Sequence, residues 1–463
     1  MVGNDYNDDI IKRRRRCNVY YFGSENQNNS RTCLEDNDLQ RCKIIRKGGC
    51  TIGHSPPFKL EKSMNIIWDI SNKCNLNCKH CGAIEKMVVS SELSIQEKVI
   101  IAENISEIAS KVTLLGGEPL ATAGVKDVIN TFEKKDVLVE FITNGQFAYG
   151  DVKDILDCKN IITILVSLEG LECENDQIRG IGSFKKAVCF FEDIHKNRNP
   201  TLKIGITTVI TKKNINNIIE LMKFYERLGA DEIYFNFLDI SGRAKENRDE
   251  LEPSVPELIK AAETIAKFSF RSKCNIYINT GSRALDEFLL LQYGFVNSSI
   301  EKRCGALFES LYIDMEGFLY PCRSYNDSKI DLKQKLNLKD AYRIFNTFWG
   351  LFIQAENQGN ECPIARQRDI LKEEIEKKKI HAKYRVVKSA IFENMGERYF
   401  IIFPKNNEYV EYSQLGYSIY QHLENNEENE AIIQLIGCSY DEYYNFIRHE
   451  ILNNRLEIAD DEI

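Results

Sequence analysis

Asn65-Ile-Ile-Trp-Asp-Ile70 is a short apolar run, and Cys74-Asn-Leu-Asn-Cys78-Lys-His-Cys81 follows it almost at once. The run has the length and composition of a buried strand. Five similar runs follow, at Lys111 to Leu115, Val137 to Thr143, Ile161 to Leu168, Lys203 to Ile210 and Glu232 to Leu238. Helical periodicity separates them, which predicts an α/β fold with a parallel sheet, either open and doubly wound or a complete or partial barrel. In all of these folds, functional residues gather at the carboxyl ends of the strands.

Two of the intervening helices have recognisable ends. Ser94 and Glu97 form a capping box at the start of the first helix. Asn214 is the predicted cap of a later helix, and Gly229 is its predicted stop.

The composition excludes several classes of protein. The chain has 463 residues, 43% of them hydrophobic and 28% charged, which is typical of a globular chain and not of a disordered one. The net charge of −8 gives no support to nucleic acid as a partner. No apolar stretch is long enough to cross a membrane. The basic run Lys12 to Arg16 is not followed by the apolar segment of a secretion signal, so we expect a cytoplasmic protein.

The chain contains fifteen cysteines, an odd number, which favours metal binding or catalysis over a disulfide framework. Residues 1–62 are polar and predict a leader region with little core, and their cysteines match no common metal motif. Isolated cysteines elsewhere are expected to be inert thiols, namely Cys158, Cys173, Cys189, Cys274 and Cys438.

The most specific motif is the triplet Cys74, Cys78 and Cys81 directly after the first strand. Thiolates are the usual ligands of iron–sulfur clusters, and a loop this short holds its sulfurs near one another. Three ligands on a four-iron cluster leave one iron open to a substrate. Zinc is the alternative, with His80 as a fourth ligand, but His80 directly beside Cys81 makes a tetrahedral site cramped.

A second motif, Gly116-Gly117-Glu118-Pro119, follows the second strand. The glycines permit close backbone approach, and the Glu offers an acceptor for an amine. With the cysteine triplet, this motif resembles the radical S-adenosylmethionine (SAM) superfamily. The resemblance implies that Cys74, Cys78 and Cys81 bind a 4Fe-4S cluster, that the strand edge holds the methionine amine of SAM, and that His80 also faces the cofactor.

The resemblance continues after the third and fourth strands, at Thr143-Asn144-Gly145, at Ser167-Leu-Glu169-Gly170 and at Asp176-Gln-Ile-Arg179-Gly180. It implies that Asn144, Ser167, Glu169 and Arg179 contribute to SAM binding, with Arg179 facing a carboxylate that its planar guanidinium fits. The family usually has Asp at the position of Glu169. Ser241-Gly242-Arg243-Ala244 is also familiar from the branch with a SPASM or twitch extension.

A third group of cysteines resembles the opening half of a SPASM or twitch site. Cys304-Gly305 is followed by Asp314-Met-Glu-Gly317-Phe-Leu-Tyr320-Pro321-Cys322, in which the Glu-Gly turn predicts a hairpin. Only Cys362 remains nearby, so the pattern is incomplete. We expect one auxiliary iron–sulfur cluster, ligated by Cys304, Cys322 and Cys362. The alternative is a related fold without a cluster.

The last segment predicts three strands (Tyr384 to Glu393, Arg398 to Phe403 and Glu408 to Tyr412), three helices and a final Arg455-Leu-Glu-Ile that returns to the sheet. It resembles the small peptide-binding module of the pyrroloquinoline-quinone peptide chaperone. There, the leader of a substrate peptide pairs as an extra strand. A DNA-reading winged helix is the alternative, which the acidic composition disfavours.

Together these features predict a partial (β/α)6 TIM-like barrel at 63–270, a twitch- or SPASM-like region with a linker helix at 271–380, and a winged-helix-like peptide-recognition domain at 381–463. The function expected from the resemblance is oxidative modification of a ribosomally made precursor peptide, such as thioether crosslinking, with a flavodoxin- or ferredoxin-type electron donor. Peptide epimerisation, a radical SAM reaction on a protein side chain or small metabolite, and a non-enzymatic scaffold remain alternatives.

Overall fold

The computed structural model describes residues 64–83, 91–296, 310–323, 329–335, 374–375, 377–378, 380, 382–387, 390–395, 398–403 and 408–459. The predicted leader region 1–62, Cys304 and Cys362 lie outside these residues. The chain divides into two compact units, with the boundary between Ala382 and Lys383. No helix in the described ranges is both long and apolar enough to cross a membrane.

The larger unit is built on a parallel sheet whose first strands follow one another in chain order. These strands are β1 (Met64–Asp69), β2 (Ala109–Leu115), β3 (Leu138–Thr143), β4 (Ile161–Ser167), β5 (Lys203–Ile210) and β6 (Glu232–Phe237). Each pairs in parallel with the next. The prediction of an α/β fold with a parallel sheet is therefore confirmed.

Helices connect the strands and pack on one face of this sheet. They are α1 (Ile95–Ile105), α2 (Val125–Lys134), α3 (Tyr149–Leu156), α4 (Glu172–Arg179), α5 (Ser183–Asn197), α6 (Ile218–Leu228), α7 (Arg243–Glu246), α8 (Arg248–Leu251), α9 (Val255–Ser269) and α10 (Arg283–Tyr293). Alternate strand residues such as Trp68 and Phe141 join Phe132, Phe190 and Tyr225 of the helices in one buried core. Side chains of a strand alternate between faces, so the intervening residues line the opposite face.

The sheet is wider than the sequence predicts. A seventh strand, β7 (Asn275–Asn279), adds in parallel to β6. On the other side, β8 (Ser310–Ile313) pairs in parallel with β1, and β9 (Phe318–Tyr320) and β10 (Ile330–Asp331) continue antiparallel. The predicted hairpin at Glu316-Gly317 is confirmed, since it joins β8 to β9 with Gly317 at φ 83°. The sheet thus extends past residue 270, where the sequence analysis ended the barrel.

The predicted helix ends are partly confirmed. Ser94 and Glu97 make the complete capping box of α1, and Gly229 ends α6 in the left-handed conformation. The prediction for Asn214 is wrong, because α6 begins only at Ile218 after a short 3-10 turn. The Asn214 amide instead donates to the carbonyls of Glu169 (2.9 Å) and Val209 (2.8 Å), which links the ends of β4 and β5.

In the part of the smaller unit that the structure describes, there are two small sheets and three helices. Its strands are β11 (Tyr384–Val386), β12 (Ile391–Met395), β13 (Arg398–Phe403), β14 (Glu408–Tyr412) and β15 (Leu456–Ile458), and its helices are α11 (Gln414–Glu424), α12 (Asn429–Ile436) and α13 (Tyr440–Leu452). The predicted strand 384–393 is divided into β11 and β12. The predicted return of the last segment is confirmed, since β15 pairs antiparallel with β11.

A buried ionic cluster holds this unit together. Glu450 and Arg455 are each 1% exposed. The Glu450 carboxylate accepts hydrogen bonds from the hydroxyls of Tyr412 (2.6 Å) and Tyr420 (2.5 Å) and lies 3.4 Å from the Arg455 guanidinium. Arg455 also donates to Glu408 at 2.9 Å. Burial acts to raise the pKa of Glu450, but the hydrogen bond with His449 and the charge of Arg455 outweigh it and lower that pKa.

We expect the Glu450→Ala substitution to destabilise the smaller unit by about 3–5 kcal/mol, because it leaves Arg455 buried with only a partly exposed partner. Hydrogen exchange followed by mass spectrometry should show faster exchange of the α13 amides in the full chain. The control is Glu457→Ala, which removes a surface pairing to Arg385 and should change stability by less than about 0.5 kcal/mol. Equal exchange in the Glu450→Ala and wild-type proteins would contradict the prediction.

Candidate cofactor site

The residues that the sequence analysis singled out lie on loops that follow successive strands. Cys74, Cys78 and Cys81 follow β1, Gly116 to Pro119 follow β2, Asn144 follows β3, and Glu169 follows β4. Because these strands are parallel, their carboxyl ends meet at one edge of the sheet. The structure therefore brings these motifs together.

The cysteine loop is held in place by neighbouring elements. The Cys81 amide donates to the Cys78 carbonyl (3.3 Å) within the loop. Arg243, after β6, donates from its Nε to the Cys78 carbonyl (2.8 Å) and from its backbone amide to the Cys81 carbonyl (3.0 Å). The motif that contains Arg243 was singled out in the sequence, but this role of Arg243 was not predicted. The position of Arg243 after the sixth strand was the signal that could have indicated it.

The start of the loop is anchored by a second contact that the sequence analysis missed. Glu92 accepts hydrogen bonds from the Ser71 hydroxyl (3.0 Å) and the Asn72 amide (3.1 Å). The ammonium of Lys98, which is 1% exposed on α1, lies 2.5 Å from the same carboxylate. The loop before Cys74 is therefore fixed to helix α1.

The two glycines allow the edge after β2 to run against the cysteine loop. A Cβ atom at Gly117 would lie only 1.9 Å from the Lys73 carbonyl oxygen, and Gly116 has a φ of 121°. The amides of Gly117 and Glu118 donate to the carbonyls of Ser71 and Lys73, both at 2.8 Å. Only glycine permits this approach.

Glu118 joins the loops after β2 and β3. Its carboxylate is 1% exposed and accepts hydrogen bonds from the Thr143 hydroxyl (2.7 Å), the Asn144 amide (2.8 Å) and the Leu120 amide (3.1 Å). Burial raises the pKa of Glu118 to about 7. An amine bound here would share a carboxylate that already has three donors. Pro119, also buried, begins the following 3-10 turn.

Glu169 and Arg179 form a buried ion pair. The Arg179 guanidinium donates to Oε1 of Glu169 from Nη2 (2.6 Å) and from Nε (3.2 Å), and Oε2 of Glu169 accepts from the Val209 amide (2.6 Å). The Arg179 side chain is 9% exposed and the Glu169 side chain 1%. Arg179 does face a carboxylate, but it is that of Glu169. Ser167 lies buried at the end of β4.

His80 completes this group. Its Nε2 lies 3.4 Å from Oε1 of Glu169. Burial lowers the pKa of His80 to about 4, so the imidazole is neutral near pH 7. Within the described residues, its Nδ1 is buried without a hydrogen-bond partner. Buried polar atoms usually have a partner, and a bound cofactor could provide one here.

The residues of the loop fit a thiolate-bound iron–sulfur cluster. Cys74, Cys78 and Cys81 are free thiols of one short loop. Burial, and to a smaller extent the charge of Cys81, raise the pKa of both Cys74 and Cys78. Burial raises the pKa of Cys78 to about 11, so iron binding must displace a proton. No three His, Cys, Asp or Glu side chains in the described ranges converge as ligands of a single ion. A cluster does not require this, because each thiolate binds a different iron.

Of the predicted auxiliary ligands, the structure describes only Cys322, which is partly buried after β9. The next residue, Arg323, lies 3.4 Å from the Asp69 carboxylate, and the Tyr312 hydroxyl of β8 donates to that carboxylate at 2.5 Å. Asp69 is fully buried at the end of β1. The region around Cys322 is therefore tied to the strand that leads into the cysteine loop.

Residues 68–225 match the family model of the radical SAM superfamily, so this part of the chain is a radical SAM domain. Similar curated proteins include an AdoMet-dependent heme synthase of Methanosarcina barkeri (29% identical over 42% of this chain and 56% of that protein) and the mycofactocin maturase MftC of Mycolicibacterium smegmatis (30%; 43% and 50%). The chain thus spans about half the length of the curated relatives it matches.

Among solved structures, Streptococcus suis SuiB bound to the precursor peptide SuiA is similar with a TM-score of 0.51 at 18% identity, over 73% of this chain and 75% of SuiB. At this identity the likeness shows the fold alone. The resemblance read from the sequence motifs is confirmed as a radical SAM domain. The auxiliary cluster, the peptide-binding module and the roles of individual SAM-site residues remain predictions.

Proposed function

We propose that this protein is a radical SAM enzyme that modifies a ribosomally made precursor peptide. The observation that carries the proposal is the combination of a radical SAM domain at 68–225 with a separate unit at 383–462. That unit contains the three-stranded sheet β12–β13–β14, whose described part has β12 and β14 as its edges. An extended peptide can add to such an edge as a further strand.

In this proposal Cys74, Cys78 and Cys81 hold a 4Fe-4S cluster. When bound there with SAM, the cluster supplies a 5′-deoxyadenosyl radical that removes a hydrogen atom from the substrate. The protein residues position and shield this chemistry. Arg243 and Glu92 fix the two ends of the cysteine loop, Gly117 brings the edge after β2 against it, and the Glu169–Arg179 pair with neutral His80 lines the loop after β4.

The sheet face opposite the helices offers groups that suit a peptide. Thr207, Asn236 and Asn279 form a row, with the Asn236 amide donating to the Thr207 hydroxyl (3.0 Å) and the Asn279 amide donating to Asn236 (3.4 Å). Beside them the rings of Tyr234 and Tyr277 stack with centroids 4.6 Å apart. Amide side chains can donate to and accept from the backbone of an extended peptide.

We further propose that Cys304, Cys322 and Cys362 bind one auxiliary iron–sulfur cluster. A flavodoxin- or ferredoxin-type protein would provide the electron that SAM cleavage consumes. An auxiliary cluster could accept the electron that remains when a substrate radical closes to a thioether, which favours crosslinking over epimerisation. Anaerobic reconstitution should then give iron for about two clusters, and a preparation with iron for one would contradict the auxiliary site.

A second candidate is a reaction on a porphyrin, which is favoured by the heme synthase and the Fe-coproporphyrin III synthase of Methanosarcina barkeri among the similar proteins. It shares the radical SAM domain but gives no role to the unit at 383–462. The two candidates predict different substrates: in the first the mass of the peptide changes, and in the second the mass of the porphyrin changes.

The test is anaerobic co-expression of the full chain with a small peptide encoded beside its gene. We expect the peptide to lose two hydrogens per modified site with the wild-type protein, and to keep its mass with a Cys74/Cys78/Cys81→Ala variant. Deuterium incorporation at one alpha carbon without loss of mass would indicate epimerisation. An unchanged peptide together with turnover of an iron-porphyrin by the purified chain would overturn the peptide proposal in favour of the second candidate.

A further inference from the structure

Asn144 has a fixed position beside the cysteine loop. It is 6% exposed and directly follows β3. Its backbone amide donates to Oε2 of Glu118 (2.8 Å), the carboxylate that also binds Thr143. The place of the Asn144 side chain is therefore set by backbone contacts and does not depend on a cofactor.

The orientation of the Asn144 side-chain amide is determined by its hydrogen bonds. Its Oδ1 accepts from the backbone amide of Gln146 (3.0 Å), which can only donate. The Nδ2 therefore points the other way, and its two hydrogens have two acceptors: Oδ1 of Asn75 (2.7 Å) and Sγ of Cys74 (3.7 Å). Both Nδ2 hydrogens of Asn144, which face the cysteine loop, therefore have an acceptor.

We propose that Asn144 is a positioning residue that tunes the reduction potential of the cluster through an N–H···S hydrogen bond to Cys74. The inference rests on the proposed cluster at Cys74, Cys78 and Cys81. A donor to a ligating sulfur withdraws electron density from it and stabilises the more negative, reduced form of the cluster. This role is distinct from the contact with SAM that the sequence resemblance implies for Asn144.

The experiment compares the wild-type full chain with Asn144→Leu, Asn144→Asp and Gln146→Ala after anaerobic reconstitution, without SAM. Leu has the same number and branching of side-chain heavy atoms as Asn but no donor, and Asp replaces the donor by an acceptor. Gln146→Ala is the matched control, because it removes a neighbouring amide side chain, which donates to the backbone carbonyls of Asn144 (3.1 Å) and Ser183 (3.0 Å). It leaves the side-chain contacts of Asn144 and the Gln146 backbone amide in place. Iron content and an EPR-monitored redox titration are measured for each protein.

For Asn144→Leu we expect full iron content and a roughly tenfold lower ratio of reduced to oxidised cluster at the wild-type midpoint, from the loss of one hydrogen bond. This corresponds to about 59 mV toward more negative potential for one electron. Asn144→Asp should shift at least as far, and Gln146→Ala should match the wild type. Full iron content with an unshifted midpoint potential in Asn144→Leu would overturn this inference and leave the proposed function standing. A wild-type chain that binds no iron would overturn the proposed function and this inference with it.

A measurement on the wild-type chain covers the case in which the Asn144 variants fail to bind iron. Asparagine labelled with ¹⁵N at the side-chain amide should give a nitrogen coupling to the reduced cluster in pulsed EPR. The absence of this coupling from an iron-loaded sample would count against the hydrogen bond.

Discussion

The Cys78→Ser protein should bind no iron–sulfur cluster at the loop after β1 and should form 5′-deoxyadenosine more slowly than the wild type by a factor of more than about 1000. Changes to residues around a metal site typically cost 10–100-fold, and loss of a ligand costs more. Cys78 is the most buried thiol of the triplet, at 8% exposed. Serine nearly matches its volume, so we expect the variant to fold. The measurements are iron content and 5′-deoxyadenosine formation under dithionite.

The control for this variant is Cys189→Ser, which changes an exposed thiol on α5 and should leave iron content and rate unchanged. Circular dichroism of both proteins tests whether they fold. A folded Cys78→Ser protein with wild-type iron content and rate would contradict the assignment of the triplet.

The second large effect is expected at the buried ion pair. Glu169→Leu leaves the Arg179 guanidinium buried without its carboxylate, and we expect the free energy of unfolding to fall by about 3–5 kcal/mol. Urea denaturation of the cluster-free chain, followed by the fluorescence of its two tryptophans, measures this. The control Glu220→Gln alters an exposed pair with Lys223 and should cost less than about 0.5 kcal/mol.

A double variant separates stability from binding at this pair. Glu169→Leu with Arg179→Met replaces the ion pair by apolar side chains, which typically restores most of the lost stability. If these residues also contact SAM, the reconstituted double variant should fold and hold its cluster but bind SAM poorly. Wild-type stability of the single Glu169→Leu variant would contradict the energetic importance of the pair.

The sequence predicted the order and direction of the central strands because their apolar runs are long and their connections helical. It missed β7, since Asn275-Ile-Tyr-Ile-Asn279 has only five residues and a polar residue at each end. A short strand of this kind is specified by its neighbour β6 more than by its own composition.

The sequence predicted which residue types form the site and which loops carry them. It did not predict which side chains pair with one another. The close spacing of Cys74, Cys78 and Cys81 in the sequence places three thiols in one loop, so the cysteine triplet could be predicted from the sequence. The pairing of Arg179 with Glu169 could not, because the two residues are ten positions apart in the chain, one before α4 and one at its end. The same holds for Asn214, whose helix-cap pattern was overridden by the carbonyls of Glu169 and Val209. Long-range hydrogen bonds of this kind leave no periodic signal in a sequence.

The pairing of β8 with β1 sets how far this chain can be shortened. A chain that ended at residue 270 would keep every residue that matches the radical SAM family, but would lose β7 and β8. The backbone groups of β1 and β6 would then lie along two open edges, which other chains can use as templates for strand addition. The autonomous folding unit is therefore larger than the family domain, and a shortened protein would be prone to self-association.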